Sequence, residues 1–260
     1  MKRLEGVLLG LIVGFALFVG IEATRAASPG APPAATAEGP PGNTIASDAG
    51  AIEVARGPAI ATAPSPTRSD ADRAEIRRLL RIGSAGTYIA EILRARDSSL
   101  ARWPDRRIDP LRVWVQQESP DEAWNPQYPA LVRTAFRSWS AVGIPVRFTF
   151  VVDSAAADVR VTWIDRFRER ISGQTNWARN DHWWIVDGSV KLALHHTDGT
   201  PLDTAAVSAI ALHEVGHLIG LDHTADTTSI MAARVRVREI SPADRATAHL
   251  LYSLPAGPLR

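Results

Sequence analysis

His213, Glu214, His217, Gly220 and His223 stand in the order H-E-x-x-H-x-x-G-x-x-H. In a chain of this composition the chance of that pattern is on the order of 10⁻⁵. Two histidines four apart on a helix turn their imidazoles to one face, because the helix repeats every 3.6 residues. That is zinc-ligand spacing, with a carboxylate beside it suited to act as a base. Gly220 lets the backbone leave the helix in a conformation few other residues accept, so His223 can swing back as a third ligand. Three neutral imidazoles leave one tetrahedral position for water, which marks a catalytic rather than a structural site. The expectation is one catalytic Zn2+ on His213, His217 and His223, with Glu214 as general base.

The elements that must position these residues are legible nearby. Asp203 is placed to cap a helix from Thr204 into the motif, and Gly220 sits where a glycine ends one. Val207, Ile210, Ala211, Val215 and Leu218 recur at helical spacing, so one face packs on a core. Upstream, Leu111–Val115, Val146–Val152, Asp158–Ile164 and Ser189–Leu194 read as strands, and Pro126–Val142 as a helix closed by Gly143. Ile240–Tyr252 reads as a last helix, with Ser241 as N-cap, Pro242 in the first turn and Asp244 completing a capping box.

These residues resemble the metzincin zinc endopeptidases, and within them the matrixin branch. Met231, in Ser229-Ile230-Met231, lies eight residues after His223, the interval of the matrixin methionine turn. Thr224, directly after the third histidine, is a hydroxyl residue like the serine of matrixins. The resemblance covers roughly residues 102–254. It implies an α+β catalytic domain: a twisted mixed β-sheet over two long helices, with a zinc helix, a Met-turn and a C-terminal helix. It also implies that Met231 forms an apolar floor below the ligands and that the aspartate of the last helix, Asp244, bonds the methionine turn. By the same resemblance Ser189–Leu194 is the edge strand above the cleft, with Val190, Leu192 and Ala193 as substrate-binding positions. Three departures stand out. Ala232-Ala233 replace the usual aromatic and proline, Ala243 replaces a second aspartate, and no histidine- and aspartate-rich metal segment lies between Asp158 and Leu194. Calcium is therefore a cofactor without a clear motif here. His182, His195, His196 and His249 are candidate ligands of a second metal, though lone histidines usually just hydrogen-bond. Trp183-Trp184 read either as an apolar rim for substrate or as loop aromatics packed on the sheet.

The 260 residues suffice for one domain of about 160 with extensions. Net charge is +1, which suggests no nucleic-acid partner, and a monomer is expected. Cysteine is absent, which excludes disulfides and any propeptide thiolate on the zinc. Lys2 and Arg3 precede an uncharged run from Gly6 to Ile21, then Thr24-Arg25-Ala26. Residues 1–27 are expected to be a signal peptide or a retained membrane anchor, and both place the zinc site outside the cytoplasm. Residues 28–69, rich in Ala, Pro, Gly and Thr, read as a disordered tether. Residues 70–101 carry helical spacing in Asp70–Arg81 and Tyr88–Arg96, and either pack on the catalytic domain or form a removable prosegment. Residues 255–260 read as a tail.

The function expected is hydrolysis of internal peptide bonds of extracytoplasmic proteins. Two alternatives stay open at this point: a catalytically inactive zinc-binding surface module, and a zinc hydrolase of a non-protein amide. Glu214 speaks against the first, because a binding module needs no base there.

Overall fold

The computed structural model describes residues 51–53 and 68–260. The expected export segment, and the tether apart from residues 51–53, 68 and 69, lie outside the described residues. Among the described residues no helix is long and apolar enough to cross a membrane.

Strand alternation builds the sheet. In β5 (Val159–Ile164) every second residue is buried, and Val159, Val161 and Trp163 face the core. β5 pairs in parallel with β3 (Arg106–Val115) on one side and with β7 (Ile185–Ala193) on the other. β3 in turn pairs in parallel with β4 (Val146–Phe150). Beyond β7 lies β6 (Gly173–Arg179), which runs antiparallel to it. The three-residue β1 (Ala51–Glu53) adds to the far side of β6 in parallel, so the order is β1-β6-β7-β5-β3-β4. The expected mixed sheet is present. The expected edge is not: Ser189–Leu194 falls in and just after β7, hydrogen-bonded on both sides and interior to the sheet.

Two long helices lie against the sheet. α3 (Tyr128–Ala141) buries Val132, Ala135, Phe136 and Trp139, with the Phe136 ring 4.9 Å from that of Phe148 on β4. α4 (Thr204–Leu218) is capped by Asp203, whose carboxylate accepts the Ala206 N–H at 2.7 Å. Its second half, Ala211 to Leu218, is buried on all sides, as a helix at the centre of a domain must be. The Trp139 indole N–H donates to Leu212 O at 2.8 Å and ties the two helices together. α5 (Pro242–Ser253) starts with the predicted Ser241–Asp244 capping box.

The segment ahead of residue 102 packs on this body. α1 (Asp70–Gly83) opens with a capping box between Ser69 and Asp72. α2 (Ile89–Ala95) buries Ile89 and Ile92, and Tyr88 just before it is also buried. The short β2 (Ser99–Leu100) pairs with β8 (Gly257–Pro258), so residues in the expected tail hold the extension. The Trp103 indole N–H then donates to Leu218 O, at the end of α4.

Candidate metal centre

α4 presents His213 and His217 one turn apart, and Gly220, at φ 101°, turns the chain out of the helix. The turn is tight: a β-carbon at Gly220 would lie 2.5 Å from Ala101 O. His223 then returns to the other two rings. The three Nε2 atoms lie 3.0 Å (His213–His217), 3.1 Å (His217–His223) and 3.3 Å (His213–His223) apart. A tetrahedral ion with metal–nitrogen bonds of about 2.0–2.1 Å separates its ligand atoms by roughly 3.3 Å, so the donor set fits zinc.

Tautomers agree with that fit. His213 Nδ1 lies 2.7 Å from Ile230 O, and His217 Nδ1 lies 3.2 Å from Leu221 O. A carbonyl oxygen can only accept, so each Nδ1 carries the proton and each Nε2 keeps a bare lone pair. Burial pushes the His213 imidazole down to about 4, with the neighbouring His223 adding to the effect and the Ile230 carbonyl opposing it. His217 is driven well below its ordinary value, first by burial and then by the two other rings. His223 shifts down for the same first reason and is the least buried of the three. Two rings with fixed inward lone pairs and the Nε2 of a third beside them could hold a cation.

Glu214 follows His213 on the same turn of α4. Burial pushes its carboxyl up to about 8, against the pull of a hydrogen bond with Thr175. Thr175 Oγ1 lies 2.6 Å from Glu214 Oε2 and 2.9 Å from Glu214 O. The Thr175 hydroxyl donates to the Glu214 side chain and its proton is shared with the Glu214 backbone carbonyl, which holds the carboxyl against β6. Gly173, at the start of β6, lets the strand come this close, since a β-carbon there would overlap the Glu214 side chain. Neither Thr175 nor Gly173 stood out in the sequence. β6 has polar residues at alternate positions and only one large apolar one, Trp177, so its strand signal is faint.

Met231 is fully buried below the helix, where a β-carbon on Gly216 would overlap its sulfur. Its turn is held by Asp244, as expected. The Asp244 carboxylate accepts the Ile230 N–H at 3.1 Å, the Ser229 hydroxyl, the Ser241 N–H at 2.8 Å and the Tyr88 hydroxyl at 3.0 Å.

Other expected site residues fall elsewhere. Val190, Leu192 and Ala193 are buried in β7 between two strands, with no free backbone edge to offer substrate; β6 and then β1 lie beyond them. Trp183 and Trp184 are half-buried, under the guanidinium groups of Arg179 at 3.6 Å and Arg102 at 4.7 Å respectively. They line a cavity of about 570 Å³ with Arg68, Arg102 and the C-terminal residues, away from the three histidines. His195 lies 2.8 Å from Asp165 and 3.9 Å from Asp121. His182, His196 and His249 are exposed and join neither group.

The sequence model of the matrixin family, peptidase M10, matches residues 103–253. The chain belongs to the matrixin family. It is 27% identical over 122 residues to Metalloendoproteinase 1-MMP of Arabidopsis thaliana, across 41% of this chain and 31% of that one. The match thus spans about a third of the curated relative. The crystal structure of myroilysin superposes with a TM-score of 0.41 at 14% identity, covering 58% of this chain and 86% of that one.

Two outcomes test this geometry. Gly216→Ala should lower the melting temperature although alanine favours helix by about 1 kcal/mol, because Met231 and Trp139 leave no room for a methyl group. In metal-free protein, folded Glu214 holds its proton to about pH 8 while the unfolded group loses it near 4.5. Its contribution to stability therefore falls as pH rises between those values. The three histidines stay neutral when folded but protonate below about 6.5 when unfolded, so acid removes their contribution. Three imidazoles outweigh one carboxyl below 6.5, and only the carboxyl acts above it. The melting temperature of chelator-treated protein should peak near pH 6.5; a steady rise to pH 8 would contradict a buried neutral Glu214.

Proposed function

We propose that this chain is a zinc-dependent endopeptidase that hydrolyses internal peptide bonds of proteins outside the cytoplasm. The observation that carries the reading is the convergence of three Nε2 atoms within 3.3 Å, two of them on the helical turn that also holds the buried Glu214 carboxyl.

His213, His217 and His223 would hold a zinc ion, which when bound would lower the pKa of a water and polarise the scissile carbonyl. Glu214 takes the proton of the attacking water and returns it to the leaving amine. Thr175 fixes the carboxyl from β6, so the base and the strand edge are registered to each other. Met231 forms the apolar floor that keeps the helical histidines in place.

An extended peptide fits this site by strand addition to β6. β6 already accepts an added strand: Ala51, Ile52 and Glu53 pair with Thr175, Asn176 and Trp177. A substrate strand taking the place of β1 would pair at Thr175, beside the residue that holds Glu214. This favours extended polypeptide over a compact non-protein amide. The expected leader or anchor in residues 1–27 supports action outside the cytoplasm.

Glu214→Ala should keep stoichiometric zinc and lose about 10²–10⁴-fold in kcat on a quenched peptide. His217→Ala should lose zinc and activity together. Metal analysis beside a casein or peptide assay, with and without chelator, separates the outcomes. Zinc without any peptidase activity in the parent protein would leave a binding module.

A further inference from the structure

His223 stands outside any helix, so no helical hydrogen bonds fix its backbone. Its neighbours on both sides are instead tied to α2, in a stretch ahead of the matrixin match. We propose that Glu91 and Arg96 are positioning residues for the metal site, and that residues 70–101 are a resident part of the catalytic domain rather than a prosegment that is removed. The proposal rests on the zinc reading above.

On one side, the Arg96 guanidinium spans the whole turn. Its Nε donates to Asp222 Oδ2 at 3.1 Å, Nη1 to Gly220 O at 3.3 Å and Nη2 to Leu221 O at 3.4 Å. The other Asp222 oxygen accepts the His223 N–H at 2.8 Å, so one carboxylate links Arg96 to the ligand's own backbone. Leu221 O is also the acceptor that orients His217. The Arg96 side chain is 14% exposed and lies 5.3 Å from the centre of the Trp177 ring, so the pair is sheltered from solvent. On the other side, Glu91 accepts the Thr224 hydroxyl at 3.1 Å and the Ala225 N–H at 2.9 Å. His213 is reached too. Tyr88 donates to Asp244, Asp244 accepts the Ile230 N–H, and Ile230 O accepts from His213. All three ligands are thus braced from residues 88–96.

Removal of residues 70–101 would strip each brace and expose the surfaces that Tyr88, Ile89, Ile92 and Leu100 now cover. A maturation cut that keeps the site intact falls upstream of Ser69.

Ordinary packing of an extension would stabilise the fold without tuning the metal, and this difference is testable in the full chain. Glu91→Ala, Glu91→Gln, Arg96→Ala and Arg96→Lys would be compared with Ile76→Ala, a buried position in α1. The readouts are the rate of zinc release to a chelator, the visible spectrum of cobalt-substituted protein, and the melting temperature of the metal-free form. Outer hydrogen-bond partners of zinc ligands are generally worth 10–100-fold in affinity. Glu91→Ala and Arg96→Ala should release zinc at least 10-fold faster and alter the cobalt spectrum. Glu91→Gln should recover part of the loss, and Arg96→Lys little, because lysine has no planar fork. Ile76→Ala should lower the melting temperature and leave zinc release unchanged. Release within twofold of the parent in both alanine variants overturns the positioning role, as does equal acceleration in Ile76→Ala. N-terminal sequencing of the active species should find a start at or before Ser69, and full activity in a species beginning after Arg96 overturns the resident role. A parent protein that binds no zinc would instead defeat the metal reading itself.

Discussion

Three imidazole nitrogens brought within 3.3 Å of one another with their lone pairs facing inward repel unless a cation lies between them. Protonation would relieve the repulsion in water, but burial of His213 and His217 closes that route. Backbone carbonyls of Ile230 and Leu221 hold the other ring nitrogens and prevent the rings from flipping away. Metal affinity in such a site comes from what the fold denies the apo form as well as from what the bonds supply. Gly216 and Gly220 serve the same end: one admits Met231 under the helix, the other admits the turn against Ala101.

Asp244 carries much of this constraint. A carboxylate has about four lone-pair positions, and here two backbone N–H groups and two hydroxyls occupy them. The same side chain caps its own helix, shapes the methionine turn and receives Tyr88 from the extension. Full satisfaction of this kind is what allows a carboxylate to be wholly buried.

The clustering of His213, His217 and His223, the capped helix that carries two of them and the capping box of α5 were legible because each depends on spacing within one helix or one turn. The cleft edge was not. β7 reads as a strand from Val190, Leu192 and Ala193, but whether a strand is central or outermost depends on pairing partners far along the chain. β6, the true neighbour of Glu214, alternates polar Gln174 and Asn176 with Thr175 and a single tryptophan, so it carries little hydrophobic period. Thr175 mattered through tertiary contact alone. The helices of 70–101 were foreseen, whereas their contacts with Asp222 and Thr224 join residues more than a hundred positions apart and leave no local pattern.

That separation bears on how the molecule assembles. Arg96 and Asp222 are 126 residues apart, Glu91 and Ala225 are 134, and Tyr88 and Asp244 are 156. Contacts across such spans close late, since chain entropy opposes them until the intervening sheet has formed. The bracing of the three histidines by residues 88–96 is therefore complete only once segments more than a hundred residues apart have met.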